Sequence, residues 1–209
     1  MKRRTLDVAF SAGGLLIAAA LLVLGLVLSS QASFADDYVR DQLLEQQISF
    51  PDEYSRGETD VAGSDCLNEY IGSALDSGDK AECYANFYIK THMMHSADDA
   101  GYADATYATL GGIVRGLSAD LEAAQAGTDQ AAIDAAQAKV DAASGLRETM
   151  FKGETLRGLL LTTYGFSIFG DRAAMAALVC YLAAALMVVL SIAGFVHAAA
   201  AKKAGAAIA

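Results

Sequence analysis

Two long apolar runs without Asp, Glu, Lys or Arg constrain this chain more than any other feature. The first covers residues 8–28 and the second covers residues 173–201. As a helix, the first run would be about 31 Å long at ~1.5 Å per residue, which matches a bilayer hydrocarbon core of ~30 Å. The sequence therefore predicts two transmembrane helices that flank a single block, residues 29–172.

Charge is distributed unevenly between the ends of the chain and this block. The terminal segments 1–7 and 202–209 carry five basic residues and one acid, Asp7, whereas the block carries 24 acidic and 10 basic residues, a net charge of −14. By the positive-inside rule, we expect both termini in the cytoplasm and the block outside the plasma (inner) membrane. An acidic outer domain would repel phosphates, so we do not expect nucleic-acid binding.

A cleaved signal peptide is the alternative interpretation of the first run. The basic residues 2–4 would be its n-region, and residues 33–35 (Ser-Phe-Ala) would be an acceptable cleavage site. The apolar run is longer than the ~7–15 residues of a signal h-region, which favours an uncleaved anchor.

Small residues recur one helical turn apart in both runs. Gly14 and Ala18 have this spacing in the first run, and Ala176, Cys180 and Ala184 have it in the second. Small residues let helix backbones approach closely in lipid, so these positions predict packing of the spans on each other or on a partner subunit. The alternative is that alanine is simply abundant here. No acidic or basic side chain lies deep in either run, so we do not expect a transporter or channel.

Helical periodicity predicts an all-α bundle between the spans, because no strand-like alternation competes with it. The last two predicted helices form an antiparallel hairpin around Gly127, with Val114 near Val140. Residues 52–63 are polar and are predicted to form a loop. The predicted helices cover residues 36–47, 64–75, 79–97, 110–121 and 133–143.

The apolar residues 151–170 have two interpretations. Their uncharged part, residues 158–170, is too short to cross a bilayer as a helix. We favour a juxtamembrane helix with its aromatic side chains at headgroup depth. The alternative is a core helix that continues into the second span.

Cys66 and Cys83 are predicted to form a disulfide, since both belong to the block expected on the oxidising side. The bond would contribute ~3 kcal/mol in the chain-entropy model. A simple helical hairpin that turns near Gly78 would instead place Cys66 opposite Lys90, so the bond needs a steep helix crossing or a later start to the first helix. Free thiols are the alternative. Cys180, in the second span, is expected to be inert.

His92 and His95 are the only closely spaced histidines. A spacing of three on a helix lets both imidazoles face one way, and Asp99 continues that face. With Met93 or Met94 as a soft ligand, the group predicts a copper or zinc site. The alternative is a polar helix end whose histidines contact water, and under that interpretation no cofactor is expected.

Several segments resemble a family of uncharacterised actinobacterial membrane proteins. They are FKGETLRGLLL at 151–161 followed by Tyr-Gly-Phe at 164–166, VAFSAGG at 8–14, and VRDQL at 39–43 leading to ISFP at 48–51. The resemblance implies two spans around an external helical domain and implies no activity. Some members carry the label of aromatic ring-opening dioxygenase. That chemistry needs two histidines and a carboxylate around iron, and the residues here do not support it.

No Ser-His-Asp order, phosphate-binding loop or dinucleotide-binding motif is present in the sequence. We therefore expect a non-enzymatic membrane protein, an accessory or scaffold subunit of a cell-envelope complex. Its expected partners are the lipid bilayer and either another membrane protein or further copies of itself. Copper or zinc handling outside the cell is the first alternative, and a sensory bundle that binds a small ligand is the second.

Overall fold

The computed structural model describes residues 3–54 and 63–206, and most of them are helical. The prediction of an all-α fold is confirmed for this part of the chain, where the one β contact is an isolated bridge between Ser49 and Ala74. Lys2 and residues 55–62 of the predicted loop lie outside the described residues. The helical segments are α1 (Arg3–Glu45), α2 (Asp65–Glu69), α3 (Gly78–Cys83), a π-helical segment (Tyr84–Ile89), α4 (Lys90–Asp99), α5 (Tyr107–Gln125) and α6 (Gln130–Ala206).

The chain divides into two compact units. Residues up to 38 and from 167 onward form the first, which we call the span unit, and Val39–Phe166 form the second, which we call the bundle unit. Helices α1 and α6 are each long and apolar enough to cross a membrane.

Within the span unit, α1 and α6 pack against each other through residues with small side chains. Gly14 faces Ser191, Gly25 faces Tyr181, and Gly170 faces Ala35. Residues with higher numbers on α1 contact residues with lower numbers on α6, so the two helices are antiparallel. Buried positions on α6 recur every seven residues, which is the repeat of left-handed helix pairs. They are Gly170, Ala177, Ala184, Ser191 and Ala198.

The other faces of the span unit expose large apolar side chains. Phe10 is 77% exposed, Leu16 is 74% exposed and Val179 is 64% exposed. Small residues therefore face the partner helix and large apolar residues face outward, which is the arrangement expected of helices surrounded by lipid rather than water.

The bundle unit has its own apolar core, to which every helix from the end of α1 to the middle of α6 contributes. Leu67 and Leu110 are fully buried, and Met150 and Leu160 of α6 are 1% exposed. Further core residues are Val39, Leu43, Phe50, Leu75, Ala81, Cys83, Ala85, Ile89, Met93, Ala97 and Leu146.

The predicted helix over residues 64–75 is wrong in its second half. Helix α2 ends at Glu69, and Gly72 has a φ of +65°, a conformation that ends helices and that glycine adopts without strain. The chain then pairs with the segment that follows α1, where the Leu75 amide donates a 2.9 Å hydrogen bond to the Ile48 carbonyl. This pairing between distant segments competes with continuation of the helix.

The helix predicted over residues 79–97 is present and is longer. It begins at Gly78, where the Ser77 hydroxyl accepts a hydrogen bond from the Lys80 amide, and it continues through the π-helical segment to Asp99. The capping hydroxyl satisfies one of the amides that a helix start leaves without a partner.

The predicted helical hairpin is confirmed, with a shift in register. Helix α5 runs to Gln125, and the Asp129 carboxylate accepts a hydrogen bond from the Ala131 amide at the start of α6. Val114 shares a cavity with Ser144, one helical turn beyond the predicted neighbour Val140. Because Asp129 caps the second helix, the hairpin turns later than the position of Gly127 suggests.

Residues 151–170 do not form a separate helix. They lie within α6, which runs without a break from Gln130 to Ala206. Leu160 is 1% exposed in the bundle core, and Leu156 and Leu161 pack against that core. Residues 151–166 thus belong to a core helix that continues into the second apolar run, the alternative that we did not favour from the sequence.

Candidate functional site

The π-helical segment Tyr84–Ile89 is the main irregularity of the bundle unit. Its wider turn leaves backbone carbonyls without their usual α-helical partners, and such segments occur frequently at functional sites. Here Arg157 of α6 donates a 2.9 Å hydrogen bond from Nε to the Ala85 carbonyl. The same guanidinium pairs with Glu154 at 3.0 Å, which fixes its orientation. Helix α6 thus holds the π-helical segment in place.

A groove of about 390 Å³ lies beside this segment. One wall comes from the π-helical segment and α4, and the other comes from α6. We call it the aromatic groove. Its lining residues are Tyr84, Tyr88, Ile89, His92, Met93 and Ser96 on the first wall and Thr149, Lys152, Gly153 and Leu156 on the second.

Three rings follow one another along the first wall of the groove. The ring centroids of Tyr84 and Tyr88 are 4.6 Å apart, and those of Tyr88 and His92 are 4.3 Å apart. Burial raises the pKa of Tyr84 to about 12, and the neighbouring Tyr88 and Tyr54 add to the shift. Tyr84 therefore keeps its proton to a higher pH than an exposed tyrosine, and the wall offers ring faces with the hydroxyl groups of the two tyrosines at their ends.

Gly153 determines how closely α6 approaches α4. A Cβ atom at this position would overlap the Met93 sulfur and lie 2.7 Å from Met93 Cγ. The glycine in the FKGETLRGLLL segment thus allows the thioether to fill the space between the helices. Any larger residue would widen or block this end of the groove.

The predicted metal ligands all belong to α4. His92 and His95 are both exposed on α4, and the Nδ1 atom of His92 lies 2.9 Å from the Tyr88 carbonyl. Met93 is buried in the core and Met94 is 46% exposed, and both line a further cavity beside α4. Within the described residues, no three His, Cys, Asp or Glu side chains, Asp99 included, are placed to hold a metal ion.

Cys66 and Cys83 lie at disulfide distance, with their Cα atoms 6.2 Å apart. The early end of α2 removes the geometric difficulty noted above, because the chain after Glu69 is not the second half of a helical hairpin. The bond would tie α2 to the end of α3, immediately before the π-helical segment. Cys180 is a free, half-buried thiol in the span unit.

The predicted helix-packing residues have different environments. Gly14, Ala18 and Ala184 are buried, Cys180 is half-buried, and Ala176 is exposed. The contact between α1 and α6 thus follows a seven-residue repeat through Ala177 and Ala184 rather than the four-residue spacing from Ala176.

Comparison with known protein families, curated proteins and solved structures finds no match.

The aromatic groove was not predicted as a site, although its residues have a visible spacing. Tyr84, Tyr88, His92 and Ser96 recur every four residues. In an α-helix of 3.6 residues per turn, each step of four drifts by about 40°, so the pattern does not suggest a straight row. The wider turn of the π-helical segment changes this drift between Tyr84 and Tyr88, and sequence periodicity alone does not predict that segment.

Proposed function

We propose that the protein is an integral membrane protein with cytoplasmic termini that presents the bundle unit outside the cell. The exposed apolar side chains of the span unit, such as Phe10 and Leu16, support a lipid environment. The basic residues at the two ends of the chain support the orientation. The Cys66–Cys83 pair supports an oxidising compartment for the bundle unit.

We further propose that it acts as an accessory subunit whose bundle unit docks onto a second membrane protein. The observation that carries this proposal is the exposure of large apolar side chains on α6: Leu159 is 61% exposed, and Phe151, whose ring also contacts Tyr107 of α5, is 53% exposed. The adjacent positions Met150 and Leu160 are buried in the core, so the exposed apolar side chains of α6 are additional to those that form the core. Large apolar side chains exposed on one helix face are typical of interaction surfaces.

The spans contribute less to this docking than the sequence suggested. Gly14, Ala18 and Ala184 are covered within the chain by the contact between α1 and α6. A small-residue face that is already paired does not need a partner subunit to cover it. The partner contact is therefore assigned to the bundle unit.

Site-specific photocrosslinking in native membranes tests the proposal. A photoreactive phenylalanine analogue is placed at Phe151 or Leu159, with exposed Gln137 on the same helix as the matched control. We expect one membrane protein to be crosslinked from both test positions and not from the control. Crosslinks to lipid alone, or equal crosslinking from all three positions, would contradict docking. Crosslinks to a second copy of this chain would replace the accessory role with a homo-oligomer.

The aromatic groove favours a second candidate function, the binding of a small apolar ligand by an external sensory bundle. Its walls are largely apolar, and Tyr84, His92 and Lys152 supply polar groups at the edges, which is the usual composition of ligand sites. Native mass spectrometry of the purified chain should detect a bound ligand that is lost when Gly153→Leu fills the groove. Retention of the same ligand in the variant would exclude the groove as its site.

Copper or zinc handling through His92 and His95 stays a prediction. Metal analysis of the purified chain with and without His92→Ala tests it directly, since the two residues belong to one helix turn. Equal, near-zero metal content in both samples would end this alternative.

A further inference from the structure

A second cavity of the bundle unit, separate from the aromatic groove, has an arginine in its wall. This cavity of about 240 Å³ lies between the first turns of α5 and the first third of α6. Its lining residues are Tyr107, Val114, Ser144, Arg147, Glu148 and Phe151.

Arg147 lies against an aromatic wall in this cavity. Its guanidinium carbon is 4.2 Å from the centroid of the Tyr107 ring, and the Tyr107 and Phe151 rings are 5.5 Å apart. Stacking on an aromatic face holds a guanidinium in one plane and leaves its edge available for hydrogen bonds. The cavity thus combines a fixed cation with two partly exposed rings.

Within the described part of the chain, Arg147 has no anionic partner. No carboxylate lies within ion-pair distance of it, and its Nε atom is buried without a hydrogen-bond acceptor. The one acid that lines the cavity, Glu148, is paired with Lys152 at 2.8 Å. This hydrogen bond and the charge of Lys152 lower the pKa of Glu148, which keeps that pair ionised and engaged. A buried N–H group without a hydrogen-bond acceptor is uncommon in native proteins, and a bound ligand could supply that acceptor.

The lining of the cavity is less acidic than the surrounding domain. Residues 29–172 carry a net charge of −14, whereas the two charged residues that line the cavity, Arg147 and Glu148, sum to zero. Because Glu148 is paired with Lys152, an anion in the cavity would meet the charge of Arg147. Gly111 of α5 lies beside the guanidinium, where a Cβ atom would be in ordinary van der Waals contact, 3.5 Å from Arg147 Nε. The missing side chain keeps the space beside the guanidinium open.

We propose that this cavity binds a carboxylate carried on a small aromatic or apolar group. The guanidinium of Arg147 donates paired hydrogen bonds to the carboxylate oxygens, a geometry that Arg and carboxylate share. The rings of Tyr107 and Phe151 contact the apolar part of the ligand. The carboxylate can belong to a free organic acid or to the C-terminus of a peptide, and the test below separates these sources.

Fluorine NMR of the full chain in detergent micelles provides the test, with 4-fluorobenzoate as the probe. The uncharged 4-fluorobenzyl alcohol reports partitioning into the micelle. We expect saturable binding of the acid but not of the alcohol, and a loss of affinity of about tenfold or more in Arg147→Gln, because a hydrogen bond to a charged group is lost. Lys139→Gln, which removes an exposed cation two turns away on α6, is the matched control and should bind as the unchanged protein does.

Two additions keep the result interpretable. The peptide Gly-Gly-Phe with a free or an amidated C-terminus is titrated in parallel, and Arg147-dependent binding of the free-acid peptide alone would assign the site to a polypeptide end. If Arg147→Gln fails to fold, Arg147→Lys keeps the charge and removes the paired donors, so a weakened but measurable affinity is expected. No saturable binding of either carboxylate, or equal binding by Arg147→Gln and the unchanged protein, would overturn the proposal.

Discussion

Replacing Gly170 by alanine should weaken the contact between α1 and α6 in the span unit. The new methyl carbon would lie 2.9 Å from Cβ of Ala35, whereas carbon atoms pack at ~3.5–4.0 Å. Neither methyl group can rotate away, so the helix backbones must separate. Overpacking of this kind costs ~1–3 kcal/mol, and the higher helix propensity of alanine offsets up to ~1 kcal/mol of it.

Gly165→Ala is the matched control, because it lies on the same helix and a Cβ there has no neighbour within 4 Å. The control should gain up to ~1 kcal/mol from helix propensity alone, so the two variants should differ by ~1–3 kcal/mol in their free energy of unfolding. Far-UV circular dichroism during unfolding in mixed micelles with increasing dodecyl sulfate measures that difference.

A compensating change isolates the contact itself. Ala35→Gly removes the methyl group that Gly170→Ala would meet. The double variant should therefore be more stable than the sum of the two single effects predicts, by ~0.5–3 kcal/mol, the range observed for contacting residues. Equal stability of Gly170→Ala and Gly165→Ala, or purely additive single effects, would refute the packing described here.

Three further outcomes follow from the bundle unit. Cys66→Ser should lower the free energy of unfolding by ~3 kcal/mol, and reductant should affect the unchanged protein equally, whereas Cys180→Ser should be nearly neutral. Arg157→Ala should cost ~1–3 kcal/mol in chemical unfolding, because the Ala85 carbonyl loses its side-chain donor; Arg157→Lys should recover part of this. The raised pKa of Tyr84, about 12, means that its contribution to stability is complete below pH ~10 and is lost as the pH rises towards 12, since the unfolded chain deprotonates first. Tyr84→Phe should remove the last tyrosine transition in an alkaline absorbance titration, and an unchanged titration curve would contradict the assignment.

The features predicted correctly are those that local sequence determines. The apolar stripe around Leu110 and Val114 and its return through Val140 needs only helical spacing and a turn, and α5 and α6 form the expected hairpin. The two apolar runs likewise predict long helices without information from the rest of the chain. The type of secondary structure could be predicted wherever residues close in the sequence determine it.

The incorrect predictions concern contacts between distant segments. The helix over 64–75 was expected from Leu67, Tyr70 and Ile71, but the hydrogen bond between Leu75 and Ile48 competes with it, and no periodicity in either segment reveals that partner. The helical spacing of the histidine pair specifies only one face, whereas a metal site needs further ligands, so copper or zinc binding by His92 and His95 stays a prediction. Because alanine is frequent throughout the spans, the seven-residue repeat of buried positions on α6 could be recognised only from the contact between α1 and α6.

The FKGETLRGLLL segment, residues 151–161, combines two kinds of residue that the structure separates. Gly153 and Arg157 face α4 and the π-helical segment, and Leu160 enters the core, so these three residues shape the bundle and the aromatic groove. Leu159 is 61% exposed and Phe151 is 53% exposed beside Tyr107, and neither side chain is part of the bundle core. A residue that shapes the fold should change stability when it is replaced, whereas an exposed apolar residue should change binding at nearly unchanged stability. Stability and partner binding, both measured on the same variants, would show which residues of the segment maintain the fold and which contribute to interaction.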